Sequence, residues 1–180
     1  MVISYTEPTL KLTFYGNGAT GVGSNSGNTS TNLSDLSQTV TYNSNYTDYD
    51  IYSVGSLFTK TGYHYTTSTA WRVGSSTATT YMSGDTVNLT SYLESGGGTL
   101  KLYANWIANT YTVTYNANGG KIGSATSSTA TVTYNSTFGT LPTPTRSGYT
   151  FKGWFTATSG GTQITSSTTV KITANTTYYA

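Results

Sequence analysis

The chain has 180 residues, of which 8% are charged and 35% hydrophobic, with a formal net charge of +2, one His and no Cys. An ordinary soluble domain carries about 25% charged residues, so Thr, Ser, Asn, Gly and Tyr must supply the polarity here. The missing thiols exclude disulfides and thiolate metal sites. No run nears the roughly 18 apolar residues of a membrane-spanning helix, and the basic residues are scattered singly, so no stripe tracks a phosphate backbone.

The opening residues Met1–Pro8 have neither the basic start nor the long apolar run of a secretory signal. For an exported protein, the signal and any anchor are expected outside this sequence. From Lys11 onward the chain reads as β-structure, because its 17 tyrosines and many threonines suit a pleated, half-buried surface. The same richness in aromatic and β-branched residues argues against a disordered chain. Leu12-Thr13-Phe14 leads into Gly16-Asn17-Gly18, which is hairpin-turn punctuation. Thr39-Val40-Thr41-Tyr42-Asn43-Ser44 follows, then Asp48, Tyr49 and Asp50, then Gly62-Tyr63-His64-Tyr65. Thr90-Ser91-Tyr92-Leu93-Glu94 is the best helical candidate, one or two turns at most. Leu100 to Trp106 alternates as a strand should.

After Ile107-Ala108-Asn109-Thr110 the pattern starts again. Tyr111 to Tyr115 alternates and leads into Asn118-Gly119-Gly120, so Val113-Thr114-Tyr115 matches Leu12-Thr13-Phe14. Thr131 to Ser136 repeats Thr39 to Ser44 letter for letter. Leu141-Pro142-Thr143-Pro144 is extended and unsuited to a central strand. Thr145 to Phe151 matches Thr59 to Tyr65, Val170-Lys171-Ile172 matches Val87-Asn88-Leu89, and Tyr178-Tyr179-Ala180 matches Leu102-Tyr103-Ala104. Ala130 to Tyr134 and Thr169 to Thr173 also alternate as strands. Five ordered matches define an internal repeat. The expected fold class is mostly β (α+β at most), with two tandem modules of about four strands each and little helix. The boundaries are 1–109, with a core at about 11–106, and 110–180. The first module's extra length falls in Thr20–Ser34, Thr47–Phe58 and Thr66–Gly84. The first copy runs on through Asn105-Trp106, so the second is expected to be cut short at its last strand, as part of a longer array.

Tyr111 to Gly120, then Leu141 to Phe155 with its Tyr149-Thr150-Phe151-Lys152-Gly153-Trp154 block, then Thr177 to Ala180, resembles the Listeria-Bacteroides repeat, the B-repeat type of internalin B. The first module is similar but divergent: it keeps Gly62-Tyr63 and Trp71, interrupts the block with Thr66 to Ala70, and lacks the proline pair. The resemblance implies a small β-grasp-like sheet, repeated on large surface-anchored or secreted bacterial proteins, with no catalytic residue and no cofactor.

The residues themselves agree that chemistry is unsupported. Residues 110–180 hold Lys121, Arg146, Lys152 and Lys171 but no Asp, Glu, His or Cys, so they offer no carboxylate pair, no triad and no ordinary metal site. His64 reads as a strand residue facing water rather than a base. Asp48 and Asp50, with Asn43 and Asn45 nearby, read as a solvated loop before a Ca²⁺ site, which needs six to eight oxygens. The glycine-rich turns lack the Lys and helix of a phosphate loop. Asn45-Tyr46-Thr47, Asn88-Leu89-Thr90 and Asn135-Ser136-Thr137 fit a glycosylation pattern that arises freely in such a composition. The most suggestive binding feature is the tyrosine cluster, with Tyr46, Tyr49 and Tyr52 as candidate ligand contacts beside Tyr42. Tyrosine gives a large rigid amphipathic contact, and the competing role is cover for the module's own small core. Trp71 and Trp154 are expected in the core. The expected function is a non-enzymatic extracellular adhesion, display or stalk module that meets a host or neighbouring-cell protein or glycan, without nucleic acid or membrane insertion. The alternatives are a phage or other virion decoration module, and a spacer in a larger secreted enzyme.

Overall fold

The computed structural model describes residues 6–23, 36–43, 48–84 and 86–180. Tyr46, Asn45 and most of the Thr20–Ser34 insertion lie outside the described residues. The chain divides between Ile107 and Ala108 into two compact units.

In unit 1 the strands are β1 (Thr9–Tyr15), β2 (Gly21–Val22), β3 (Leu36–Thr41), β4 (Asp48–Asp50), β5 (Phe58–Thr59), β6 (Tyr63–His64), β7 (Trp71–Val73), β8 (Tyr81–Met82), β9 (Thr86–Asn88) and β10 (Gly98–Ala104). The main sheet has the order β3-β1-β10-β7-β8. β1 and β10 lie parallel in register Leu10↔Gly98 through Tyr15↔Tyr103, and the outer pairs are antiparallel. Alternation explains the core: Leu10, Leu12 and Phe14 of β1 turn inward beside Leu100, Leu102 and Ala104 of β10, and all are buried. Trp71 fills the centre at 0% exposure, its ring 5.0 Å from Phe14 and its indole donating to Tyr52 O at 3.0 Å.

Two short helices cover this face. α2 (Thr90–Glu94) occupies the segment that the sequence marks as helical and buries Leu93. α1 (Val54–Leu57) has no sequence signal of comparable strength. It buries Val54 and Leu57 and is capped by Ser53, whose side chain accepts from the Ser56 amide.

The short strand β11 (Ile107–Ala108) spans the boundary. Unit 2 contains β12 (Thr110–Asn116), β13 (Ser127–Thr133), β14 (Trp154–Phe155), β15 (Gln163–Ile164) and β16 (Thr176–Tyr179). Its sheet has the order β13-β12-β16-β14-β15. The first and last strands are again parallel neighbours in mid-sheet, Val113↔Thr176 through Asn116↔Tyr179. Val113, Tyr115, Val132, Phe138, Trp154, Ile164, Val170 and Tyr178 form the core. Trp154 sits 5.0 Å from Tyr115 and donates to Pro142 O at 2.8 Å. The Leu141–Pro144 segment lies outside every strand and supplies a carbonyl rather than a ladder.

Three sequence expectations change. Each main sheet has five strands rather than about four, because β8 and β15 are two-residue edge strands too short to show a period. Thr169 to Thr173 is not a strand: it makes one bridge, Thr137↔Thr169, and Val170 is held by two bonds to Asn135 and Ser136. Its alternation reflects one buried anchor, not a ladder. The last strand of unit 1 ends at Ala104, and Asn105 and Trp106 leave the sheet, with the Asn105 side chain donating to Thr69 O at 2.9 Å.

Candidate functional site

Among the described residues, exposed aromatic side chains stand on each unit, with Tyr52 on the first and Tyr149 and Phe151 on the second. On unit 1, Tyr49 stands at the middle of β4, opposite Val87 of β9. Its ring packs against the core and its hydroxyl accepts from the Asn43 amide at 3.1 Å. Tyr42 is also packed against that core. Tyr52 is different: it is 42% exposed, with one ring face 5.7 Å from Phe14. Its backbone is pinned by Gln38, which accepts from the Tyr52 amide and donates to Asp50 O. Tyr49 on β4 is thus core cover, Tyr52 two residues past the strand is offered to solvent, and Tyr46 lies outside the described residues.

The neighbouring polar residues are arranged as strand faces. Asp48 and Asp50 flank Tyr49 and are exposed, and Asp50 accepts from the Thr86 hydroxyl at 2.9 Å. His64 is exposed on β6. Among the described residues no three His, Asp or Glu side chains gather as a metal site would require.

On unit 2 the surface is a groove of about 740 Å³ whose walls include Ala117, Asn118, Arg146, Tyr149, Phe151 and Ala180. Its construction begins at the Ala117–Gly120 turn. Asn118 and Gly119 have φ of 48° and 84°, the left-handed pair that a type I′ turn requires and that Asn-Gly tolerates best. The Asn118 amide donates across to Ala180 O at 3.0 Å, tying the turn to the end of the last strand. Arg146 donates to Asn118 O at 2.8 Å and lies over the Tyr149 ring at 4.1 Å. Tyr149 is 68% exposed. Phe151 packs its edge on Trp154 at 5.6 Å and leaves the rest of the ring in the groove. The walls are aromatic and cationic, and the unit has no acid to neutralise them. Such a surface stacks on flat rings and attracts electron-rich faces or anions; it has no group suited to proton transfer near neutral pH.

Sequence reasoning assigned Arg146, Tyr149 and Phe151 only to a matching block. The available signal was a cation and two aromatics in a Pro- and Gly-flanked segment with no alternating partner strand.

The same bonds recur on unit 1. Asn17 and Gly18 have φ of 48° and 77°. The Asn17 amide donates to Ala104 O at 3.0 Å, Lys60 donates to Asn17 O at 3.2 Å, and Lys60 lies over Tyr63 at 4.5 Å. Burial pushes the Lys60 amine below its usual range.

Unit 2 thus defines a small β-rich module with its first and last strands paired in parallel, an Asn-Gly turn tied to its last residue, and no acid–base machinery. Residues 111–180 match the family model of the Listeria-Bacteroides repeat domain. The second unit thus matches the Listeria-Bacteroides repeat over nearly its whole length, and domains of that kind are generally non-catalytic and typical of bacterial surface or secreted proteins. Comparison with curated proteins and with solved structures gave no match. No helix among the described residues is long and apolar enough to cross a membrane.

Proposed function

We propose that this chain is a non-enzymatic extracellular module that displays ligand-contacting surfaces on a bacterial surface or secreted protein, built from two copies of one repeat. The observation that carries the reading is the match of residues 111–180 to the repeat family in a segment with no Asp, Glu, His or Cys. The first unit is read as a divergent copy. Support comes from the identical strand order, the equivalent Asn17 and Asn118 bonds, and the equivalent Trp71 and Trp154 bonds. The parallel mid-sheet pair flanked by antiparallel strands also supports a β-grasp-like reading. The partner is a glycan or protein of a host or neighbouring cell, met through exposed aromatics such as Tyr52 and Tyr149. A second reading, a stalk, is favoured by one observation: in each unit the parallel pair makes the chain come in at one end of the sheet and leave at the other.

Labelled protein applied to a glycan array and to intact host cells separates the two. Display predicts saturable binding that falls at least about tenfold in Tyr52→Ala or Tyr149→Ala, the loss of one aromatic contact of about 1.4 kcal/mol. Wild type that binds nothing at high micromolar concentration removes display and leaves the stalk. Turnover of any captured ligand would overturn the non-enzymatic reading.

A further inference from the structure

The basic residues are scattered singly along the sequence, but the main sheet of unit 1 gathers three of them on one face. Leu10, Leu12 and Phe14 of β1 and Leu100, Leu102 and Ala104 of β10 point into the core. Lys11, Thr13 and Tyr15, and Thr99, Lys101 and Tyr103, therefore stand on the outer face, with Lys11 and Lys101 exposed. Trp71 is buried and Met82 packs on the core, which turns Arg72 and Tyr81 outward as well. The register fixes the pattern. Tyr15, Tyr103, Arg72 and Tyr81 lie opposite one another in one row across β1, β10, β7 and β8. The Tyr15 and Tyr103 rings stack at 4.6 Å, and Arg72 lies over the Tyr81 ring at 5.1 Å. Lys11 is opposite Thr99, one strand across and two residues along from Lys101, and Lys101 stands likewise to Arg72. Such diagonal neighbours are about 7–8 Å apart, so the cations form one line across the face. No strand of this sheet carries an Asp or Glu. The acids of unit 1 among the described residues are Glu7 ahead of β1, Asp48 and Asp50 on β4, and Glu94 on α2. The unit 2 sheet has the same strand order but no cation on any strand. Asn116, Tyr179, Phe155 and Gln163 occupy the equivalent row.

We propose that the outer sheet face of unit 1 binds an acidic polysaccharide of the partner cell surface, one whose carboxylates are separated by uncharged sugars. This role rests on the display reading and adds a surface on the opposite side of the sheet from Tyr52, whose ring lies against Phe14. A line of cations on a sheet without acids attracts anions set apart along a chain. One Arg72 nitrogen donates to Ala78 O at 2.6 Å, and the remaining guanidinium N–H groups are available to a carboxylate. The separation of the Tyr15 and Tyr103 rings equals the spacing of neighbouring strands, about 4.8 Å, so the rings stand upright on the sheet. They present edges and hydroxyls, which exchange hydrogen bonds with sugar hydroxyls. A nucleic acid would instead need ring faces on which bases can stack, and these faces are turned toward one another and toward Arg72.

The test measures binding of the whole chain to immobilised hyaluronan, which carries a carboxylate on every second sugar, beside its carboxyl-reduced neutral form and oligothymidylate. The expected result is saturable binding to hyaluronan that weakens as salt rises to about 1 M, where the Debye length falls to about 3 Å. Binding should be at least about tenfold weaker for the neutral polymer, and for the chain carrying both Lys11→Gln and Lys101→Gln, the loss of two exposed ion pairs. Lys121→Gln with Lys152→Gln removes the same charge from unit 2 and should change binding by less than about twofold. Equal weakening by the two pairs, equal binding of the neutral polymer, or tighter binding of oligothymidylate would overturn the assignment. So would a wild type that ignores hyaluronan while engaging host cells through Tyr52 or Tyr149, a result that leaves display standing. A wild type that engages nothing removes both.

Discussion

Asn118→Ala tests how the Asn-Gly turn holds unit 2 together. Two losses are expected. The residue adopts φ of 48°, and a side chain with Cβ but no local polar partner costs about 1–2 kcal/mol in that region. The amide bond to Ala180 O at 3.0 Å contributes a further 0.5–1.5 kcal/mol or so. Together they predict a loss of about 2–3 kcal/mol in unit 2. For a unit of this size that is a midpoint drop of roughly 8–24 °C. Asn118→Gly separates the terms: it relieves the backbone and loses only the bond, so it should cost about 1 kcal/mol. Urea unfolding read from the NMR cross-peaks of β12 and β16 measures both variants on unit 2 alone. If alanine and glycine destabilise equally, the backbone argument fails. If alanine costs less than about 0.5 kcal/mol, the turn is not the tie described here.

Trp154→Ala empties the centre of the unit 2 core, where the ring is 1% exposed, and should cost about 3–5 kcal/mol. Trp154→Phe should cost less but still leave Pro142 O without its indole donor; the order of the two midpoints checks this. Tyr115 is pushed above its ordinary range first by burial and then by Tyr178, and Tyr178 is pushed up by burial. Below the ordinary tyrosine value of about 10, both folded and unfolded chains hold these protons and stability is intact. As pH rises past about 10 the unfolded state ionises first, so unit 2 should lose stability toward the raised folded values. Unfolding midpoints between pH 8 and 11 should fall only at the alkaline end, and Tyr178→Phe should flatten that fall.

Much of the fold was legible because alternation and turns are local signals. Leu10, Leu12 and Phe14, and likewise Val113 and Tyr115, show their inward face in the sequence, and Asn17-Gly18 and Asn118-Gly119 announce the left-handed turns. Trp71 and Trp154, expected in the core from their place after the Gly-Tyr blocks, are buried. What was not legible depends on partners distant in sequence. α1 forms because Val54 and Leu57 have a sheet to cover, not because four residues favour a helix. The two-residue edge strands are too short to carry a period. The groove was hidden because Arg146, Tyr149 and Phe151 are brought against Asn118 and Ala180 only by the fold. The tyrosine cluster was visible as a composition, but its division into Tyr49 as cover and Tyr52 as an exposed face needed the pairing of β4 with β9.

In each unit the first and last strands lie side by side and point the same way, Leu10↔Gly98 through Tyr15↔Tyr103 and Val113↔Thr176 through Asn116↔Tyr179. Tension applied to the two ends of such a unit acts along the strands and slides one past the other. The hydrogen bonds between them are then loaded in shear and must give way together. Pulling apart a hairpin such as β12 and β13 instead breaks its bonds one after another from the open end. The threading of the chain through its own sheet therefore sets each unit up to resist stretching along the backbone, independently of what its surface binds.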